Sequence, residues 1–248
     1  MSDLSLEEQT DEEITEKKLY ADFKRKLNME AASAQVTKLE YDLTDATVSK
    51  AELRRACQEA NRLKLGAVCV LPNQVKHCVH FLGKDPQTSL IACISLPHGG
   101  ETTKVKVAAV KQAVKEGVDE AEVTAPISQI KDGNWSYLKR EFKKLKKAVK
   151  FRALRINVES EYLTAQELSK VCAIAADCGV TSLRTSSSAG YDCETLSKIK
   201  TIVKDKCTVK ADGVSTFTEM QTAVDMGAGI IGSKCALDLA HLILKTAD

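Results

Sequence analysis

The sequence predicts an α/β chain folded as a (β/α)8 barrel with an N-terminal helical extension. Three observations carry this. Short apolar, β-branched runs alternate with longer amphipathic stretches from Lys38 onward. The runs lack polar–apolar alternation, as strands buried on both faces of a parallel sheet do. About eight strand–helix units occupy roughly 210 residues, the size of one such barrel. A doubly wound open sheet fits less well, because no glycine-rich phosphate loop follows the first strand candidate.

Residues 1–35 form the extension and residues 36–248 the barrel. In the extension, Glu7, Glu8, Asp11, Glu12 and Glu13 precede Lys17, Lys18, Lys24, Arg25 and Lys26. Acid first and base last suits a helix dipole. One helix is read from Asp11 to Asn28. Leu19, Phe23 and Leu27, at i, i+4 and i+8, dock it on the body. Glu30 to Gln35 reads as a small polar joint. Strand candidates then begin at Leu39 (LEYDL), Ala67 (AVCVL), Ser89 (SLIACISL), Glu120 (EAEVTA), Ala153 (ALRINV), Thr181 (TSLRT), Cys207 (CTVK) and Gly229 (GIIG). The stretches between them include KAELRRACQEANRL, KVKVAAVKQAVKEG, TAQELSKVCAIAADCG and TFTEMQTAVDMG. Three of these end in Gly117, Gly179 and Gly227, which suits a left-handed helix stop.

Composition narrows the function. The chain has 248 residues, 44% hydrophobic, with 36 basic against 34 acidic side chains. That excludes a disordered chain. No run approaches the ~18 apolar residues of a membrane span. The near-zero net charge gives no global attraction to nucleic acid. Nine cysteines, an odd number without a CxxC pair, read as reduced thiols in apolar runs at Cys69, Cys93 and Cys172. The polar, acidic start is no signal peptide. The expected compartment is therefore the cytoplasm. His77 and His80 stand at i, i+3 without a third ligand, so neither metal nor cofactor is expected.

Chemistry in such a barrel sits at the C-terminal strand ends. This selects Glu40 and Asp42, Cys69, Pro97 with His98, Glu122, Asn157 and Glu159, Arg184, Lys210, and Gly232 with Lys234. Charges of mixed sign near a barrel mouth must pair or be hydrated. A salt-bridged core without chemistry is the structural alternative.

Several segments resemble, in order, the deoxyribose-phosphate aldolase family. They are GAVCVLP, SLPHG, DEAEVTAP with KDGNW, LRINVESEYLT, LRTSSS and VKADGVST. The resemblance implies a TIM-barrel class I aldolase that cleaves 2-deoxyribose 5-phosphate to acetaldehyde and glyceraldehyde 3-phosphate. In that family a sixth-strand lysine forms an imine, a seventh-strand lysine lowers its pKa, and a fourth-strand aspartate moves protons. Carried over, the Schiff-base position is Arg184, a permanent cation that cannot serve as an amine nucleophile. Glu122 stands for the aspartate, Arg155 for a fifth-strand lysine and Glu40 for a first-strand aspartate. Lys210 is kept.

The resemblance assigns phosphate binding to Thr185, Ser187, Ser188, Gly213, Gly232, Ser233 and Lys234. The Ser187–Ser188 turn lacks the family's glycine, and Asp212 adds negative charge nearby. Lys234, beside Cys235, supplies a point charge for an anion. The implied function is an inactive or strongly impaired homologue that binds or scaffolds, with a residual phosphorylated-sugar ligand. The alternative is a working or altered lyase using Lys210, whose pKa the cation at Arg184 would lower. Arg184 itself is expected to pair with Glu122 or Glu159.

One surface segment stands out, LKREFKKLKKAVKFR from Leu138 to Arg152. Leu138, Phe142, Leu145 and Val149 make a buried stripe. Lys139, Arg140, Lys143, Lys144, Lys146, Lys147 and Lys150 face a single Glu141. Like charges along a helix oppose one another, and an acidic protein surface would relieve them. Exposed aromatics are not interleaved, which disfavours nucleic acid. The expected partners are thus an acidic protein surface and a small ligand, with no nucleic acid or membrane, and a monomer or homodimer.

Overall fold

Runs such as AVCV and SLIACI become strands because each side chain, on either face, finds apolar cover. The computed structural model describes residues 11–247, with side chains from Lys18 onward. The long α1 (Asp11–Val36) precedes β1 (Leu39–Leu43). Next come α2 (Lys50–Leu63), β2 (Ala67–Val70), α3 (Val75–Leu82), β3 (Ser89–Ile94), α4 (Thr103–Glu116) and β4 (Glu120–Thr124). After α5 (Ile127–Lys131) and α6 (Trp135–Ala148) follow β5 (Ala153–Asn157), α7 (Ala165–Asp177), β6 (Ser182–Arg184) and α8 (Cys193–Val203). The chain closes with β7 (Thr208–Ala211), α9 (Phe217–Asp225), β8 (Ile230–Ser233) and α10 (Ala236–Ala247). All eight strands are parallel and pair in sequence order, and β1 closes the barrel against β8. The fold is the (β/α)8 barrel that the sequence predicts.

Local signals start and stop the helices. Ser49 with Glu52, Thr164 with Glu167, and Thr216 with Glu219 form capping boxes at the starts of α2, α7 and α9. Each box satisfies two N–H groups that a helix start would leave orphaned. Gly117 closes α4 with φ 111°, a left-handed geometry that costs glycine little.

The core divides in two. Outward-facing Val68, Val70, Leu90, Ala92 and Ile94 join the layer between barrel and helices. Inward-facing Ala67, Cys69, Ile91 and Cys93 form a small separate cluster that Leu96 covers. The inward positions of β1 and β4–β7 are largely ionic instead, and that half of the barrel holds the candidate site. All nine cysteines are free thiols. Among the described residues, no helix is long and apolar enough to cross a membrane.

Two readings of helices need correction. The first helix does not stop at Asn28; it runs to Val36, so the joint read at Glu30 to Gln35 is helical. Its docking residues are Ala32 and Val36, both buried, whereas Leu19, Phe23 and Leu27 are exposed. Spacing shows which side chains share a stripe, not whether a surface lies beneath them. The basic helix ends at Ala148, because Val149 caps it and Lys150 takes a positive φ of 58°. Its inner stripe is as expected, with Leu138, Phe142, Leu145 and Val149 all buried.

This contrast is measurable by urea unfolding. Phe142→Ala should cost about 3–5 kcal/mol, since it empties a core site. Phe23→Ser should change stability by no more than about 0.5 kcal/mol.

Candidate active site

Register sets the site's problem. Arg184 on β6 lies directly beside Lys210 on β7, and Glu122 on β4 beside Arg155 on β5. Two cations on adjacent strands of one buried face repel unless acids lie between them. The first strand, β4 and the loop after β7 supply those acids. Arg184 Nη2 donates to Asp42 Oδ2 at 2.5 Å and to Asp212 Oδ2 at 2.6 Å, and Nη1 to Glu122 Oε1 at 2.8 Å. Its Nε donates to the Ser186 carbonyl at 3.0 Å. Lys210 Nζ sits 2.8 Å from Glu40 Oε2, 3.6 Å from Glu122 Oε2 and 3.7 Å from Asp212 Oδ1. Arg155 joins Glu40 at 2.6 Å and grips Glu120 through both Nε and Nη2. Arg184 and Lys210 are fully buried, 0% exposed.

Position decides each group's charge. For Glu40, burial opposes ionisation, but Lys210 and Arg155 outweigh it and hold the carboxyl at about 2. For Asp42, burial is likewise outweighed, by Arg184, Lys210 and bonds from Thr44, again to about 2. Asp212 goes the other way: burial and the neighbouring acids Asp42 and Glu122 raise it, despite Arg184 and Lys210. Four carboxylates (Glu40, Asp42, Glu122, Asp212) thus share the interior with three cations (Arg155, Arg184, Lys210), and of the four Asp212 is the one whose charge the surroundings oppose. Two buried oxygens, Glu122 Oε2 and Asp212 Oδ1, make no hydrogen bond.

The expectation that Arg184 lowers the pKa of Lys210 is reversed in net effect. Burial and Arg184 do oppose its charge. The Cys69 sulfur and the carboxylates of Glu122 and Glu40 outweigh them, and the ammonium is held well above its ordinary value. The alternative pairing of Arg184 with Glu159 is not formed either. Glu159 instead anchors the serine turn, accepting from Ser186 Oγ, Ser187 N, Ser187 Oγ and Asn157 Nδ2.

A cavity of about 330 Å3 opens above this cluster. Of the residues assigned to phosphate, Ser187, Ser188, Gly213, Ser233 and Lys234 line it, with Asp42 and Asp212. Thr185 and Gly232 do not. Thr185 Oγ1 accepts from Asp212 N–H, fixing that loop. Gly232 is bare because a Cβ there would collide with Asp212 Oδ1 and Lys210 Cε. Among the described residues, the backbone N–H groups of Gly190, Gly213 and Lys234 make no hydrogen bond. All three residues line the cavity, and Lys234 stands two residues before α10. His77 and His80 lie on α3 against the Phe81 ring. Among the described residues, no three His, Cys, Asp or Glu side chains cluster as a metal site.

No family model matches the chain. Curated relatives do. Deoxyribose-phosphate aldolase 1 of Mesoplasma florum is 30% identical over 199 residues, 79% of this chain and 90% of that protein. This chain belongs to the deoxyribose-phosphate aldolase family. Deoxyribose-phosphate aldolase of Clostridium botulinum is 29% identical over 205 residues, 81% of this chain and 96% of that one. Among solved structures, the aldolase QR15 superposes with a TM-score of 0.80 at 24% identity, covering 85% of this chain and 96% of that chain. Deoxyribose phosphate aldolase from Aeropyrum pernix superposes at 0.74 with 17% identity, over 88% and 96%. At those identities the two structures speak for the fold.

Within this aldolase-family barrel, the strand ends marked by sequence do converge. Arg184, Glu122, Lys210, Glu40 and Asp42 form one contact network. Sequence reasoning missed Glu159 as the anchor of the serine turn. The three consecutive serines, Ser186 to Ser188, were the available signal, since a run of hydroxyls in a buried turn needs an acceptor.

The opposite directions of Asp42 and Asp212 predict different outcomes for isosteric neutralisation. Asp42→Asn should cost on the order of 3 kcal/mol at neutral pH. Asp212→Asn should cost distinctly less, because folding already disfavours its charge. The stability that Glu40 and Asp42 contribute is complete above their ordinary values of 4.5 and 3.8 and declines as pH falls towards about 2. Urea titrations of the three proteins across that window check both points.

Proposed function

We propose that this deoxyribose-phosphate aldolase homologue does not turn over 2-deoxyribose 5-phosphate at a family-like rate and acts as a binding protein. One observation carries the reading: Arg184, at the position the resemblance assigns to the Schiff-base lysine, is buried and held by Asp42, Glu122 and Asp212. Imine formation needs a neutral amine at the carbonyl. A guanidinium cannot supply one. Lys210 is an amine, but its acidic surroundings keep it protonated. Its Nζ is also bound to Glu40, so attack would require breaking that pair.

The mouth retains what a small anion needs. The unbonded N–H groups of Gly190, Gly213 and Lys234, with the Lys234 ammonium 4.0 Å from Asp45 Oδ2, would supply an outer anion end. Asp42 and Asp212 line the inner end, where hydroxyl groups fit better than a second anion. A phosphorylated sugar is the ligand class that matches both ends. The runner-up, a lyase using Lys210, draws on one observation: Glu122 Oε2 is buried, lacks a hydrogen bond and lies 3.6 Å from Nζ, so it can act as a proton acceptor.

Borohydride reduction with 2-deoxyribose 5-phosphate, read by mass spectrometry, separates the two. No covalent adduct is expected, and coupled detection of glyceraldehyde 3-phosphate should show only trace turnover. An adduct on Lys210, with turnover abolished by Lys210→Ala, would establish the lyase instead.

The acids around Arg184 also predict how activity can be restored. Arg184→Lys alone should gain little, since Asp42, Glu122 and Asp212 would hold the new ammonium protonated. Adding Asp212→Asn should raise turnover further, by about tenfold, because one fewer charge favours the free amine. Initial rates of the single and double variants test this.

A further inference from the structure

A second recess lies on the barrel's flank. It is a groove of about 580 Å3 between α4 and α6. Lys104 and Lys111 stand on one wall, Lys144 and Lys147 on the other, and Val107 and Ala148 form an apolar floor. All four lysines are exposed. Among the described residues, none has a carboxylate within ion-pair distance.

The acids of these two helices are committed elsewhere. Glu141, the one acid of α6, points inward and is fully buried with Lys106 of α4, at 2.9 Å. Glu141 Oε2 accepts from Thr103 Oγ1, and Lys106 Nζ donates to the Thr124 carbonyl. Glu116, at the end of α4, pairs with Lys76 of α3 and accepts from Gln112. The buried pair clamps the two helices together beneath the groove. Their outward faces are left with cations alone. Arg140 and Lys144 stand at i, i+4, as do Lys143 and Lys147, and like charges at that spacing oppose the helix. A chain whose net charge is only +2 has thus gathered unbalanced positive charge on one rigid two-helix face.

We propose that this groove docks an acidic amphipathic segment of a partner protein. The segment's apolar side chains would seat on Val107 and Ala148, and its carboxylates would reach the lysines on both walls. The choice of a protein over a nucleic acid follows from the lining. Phosphate recognition favours arginine, whose planar fork bonds two oxygens at once. Here the walls are lysine and no aromatic residue lines the groove. Contrary to the expectation from sequence, one aromatic of the basic segment is exposed, Phe151, but it lies past the end of α6, outside the groove, under the Arg152 guanidinium. An apolar floor between cationic walls matches alternating leucine and glutamate better than a uniform polyanion. The inference rests on the reading of this chain as a binding protein. The groove and the mouth are lined by different residues, so the two can fail separately.

The test uses the full chain and a fluorescein-labelled synthetic peptide. Its leucines sit at i, i+4, i+7, with glutamate and alanine elsewhere. A scrambled peptide of the same composition and a single-stranded RNA are the comparators. Fluorescence anisotropy should show the amphipathic peptide binding about tenfold tighter than the scrambled one, and weakening as salt is added. Lys111→Glu with Lys144→Glu should lower that affinity by about tenfold or more. Lys84→Glu with Lys170→Glu, which removes the same charge elsewhere, should leave it unchanged. Circular dichroism and urea unfolding confirm that each variant keeps its fold. Four results would each overturn the proposal: no peptide binding by the unmodified chain, equal binding of the two peptides, an unchanged affinity after the groove reversal, or tighter binding of the RNA.

Discussion

Arg184 is a charge that cannot be discharged, placed where water does not reach. A guanidinium in a barrel interior has to be surrounded by acceptors or the strand that carries it will not stay in register. Here Asp42 comes from β1, Glu122 from β4 and Asp212 from the loop after β7, so one side chain ties together three distant parts of the sheet. The acids then set the state of everything near them. Lys210 is held well above its ordinary value, burial and neighbouring acids push Asp212 up from its own, and residue 232 has to be glycine to make room.

The same balance of charge bears on which groups in the barrel can release a proton. Imine chemistry needs an amine that is neutral part of the time, and that requires local positive charge or desolvation to dominate. In this interior four acids meet three bases, so the balance favours protonation. The cavity at the mouth is lined by the serine turn, Gly213 and Lys234 as well as by Asp42 and Asp212, so it shares two acids with the charge cluster.

A smaller copy of the same constraint operates on the flank. Burying Lys106 requires Glu141, and burying Glu141 removes the one acid from the face of α6. The pair holds α4 and α6 together while leaving their outer surface unbalanced. Interior pairing and exterior charge are two sides of one placement.

Much of this was legible in the residues themselves. Eight apolar runs spaced by amphipathic stretches specify the barrel, because strand and helix periods are local properties. S-x-x-E and T-x-x-E mark the starts of α2, α7 and α9 for the same reason, since a cap involves only its own turn. The strand-end positions also marked Arg184, Lys210, Glu122 and Glu40 as neighbours, because a parallel barrel brings every C-terminal strand end to one mouth. What the residues alone did not decide were quantities summed over distant groups. Leu19, Phe23 and Leu27 have the spacing of a docked stripe, yet all three are exposed. Lys106 shares a stripe with Val110 and Ala113, but its burial depends on Glu141 arriving from the next helix. The charge of Lys210 depends on Glu40, Cys69, Glu122 and Arg184, four residues from four other strands. Periodicity is written along the chain, whereas burial and protonation are fixed by everything that folding brings near a group, and only the tertiary structure supplies that sum.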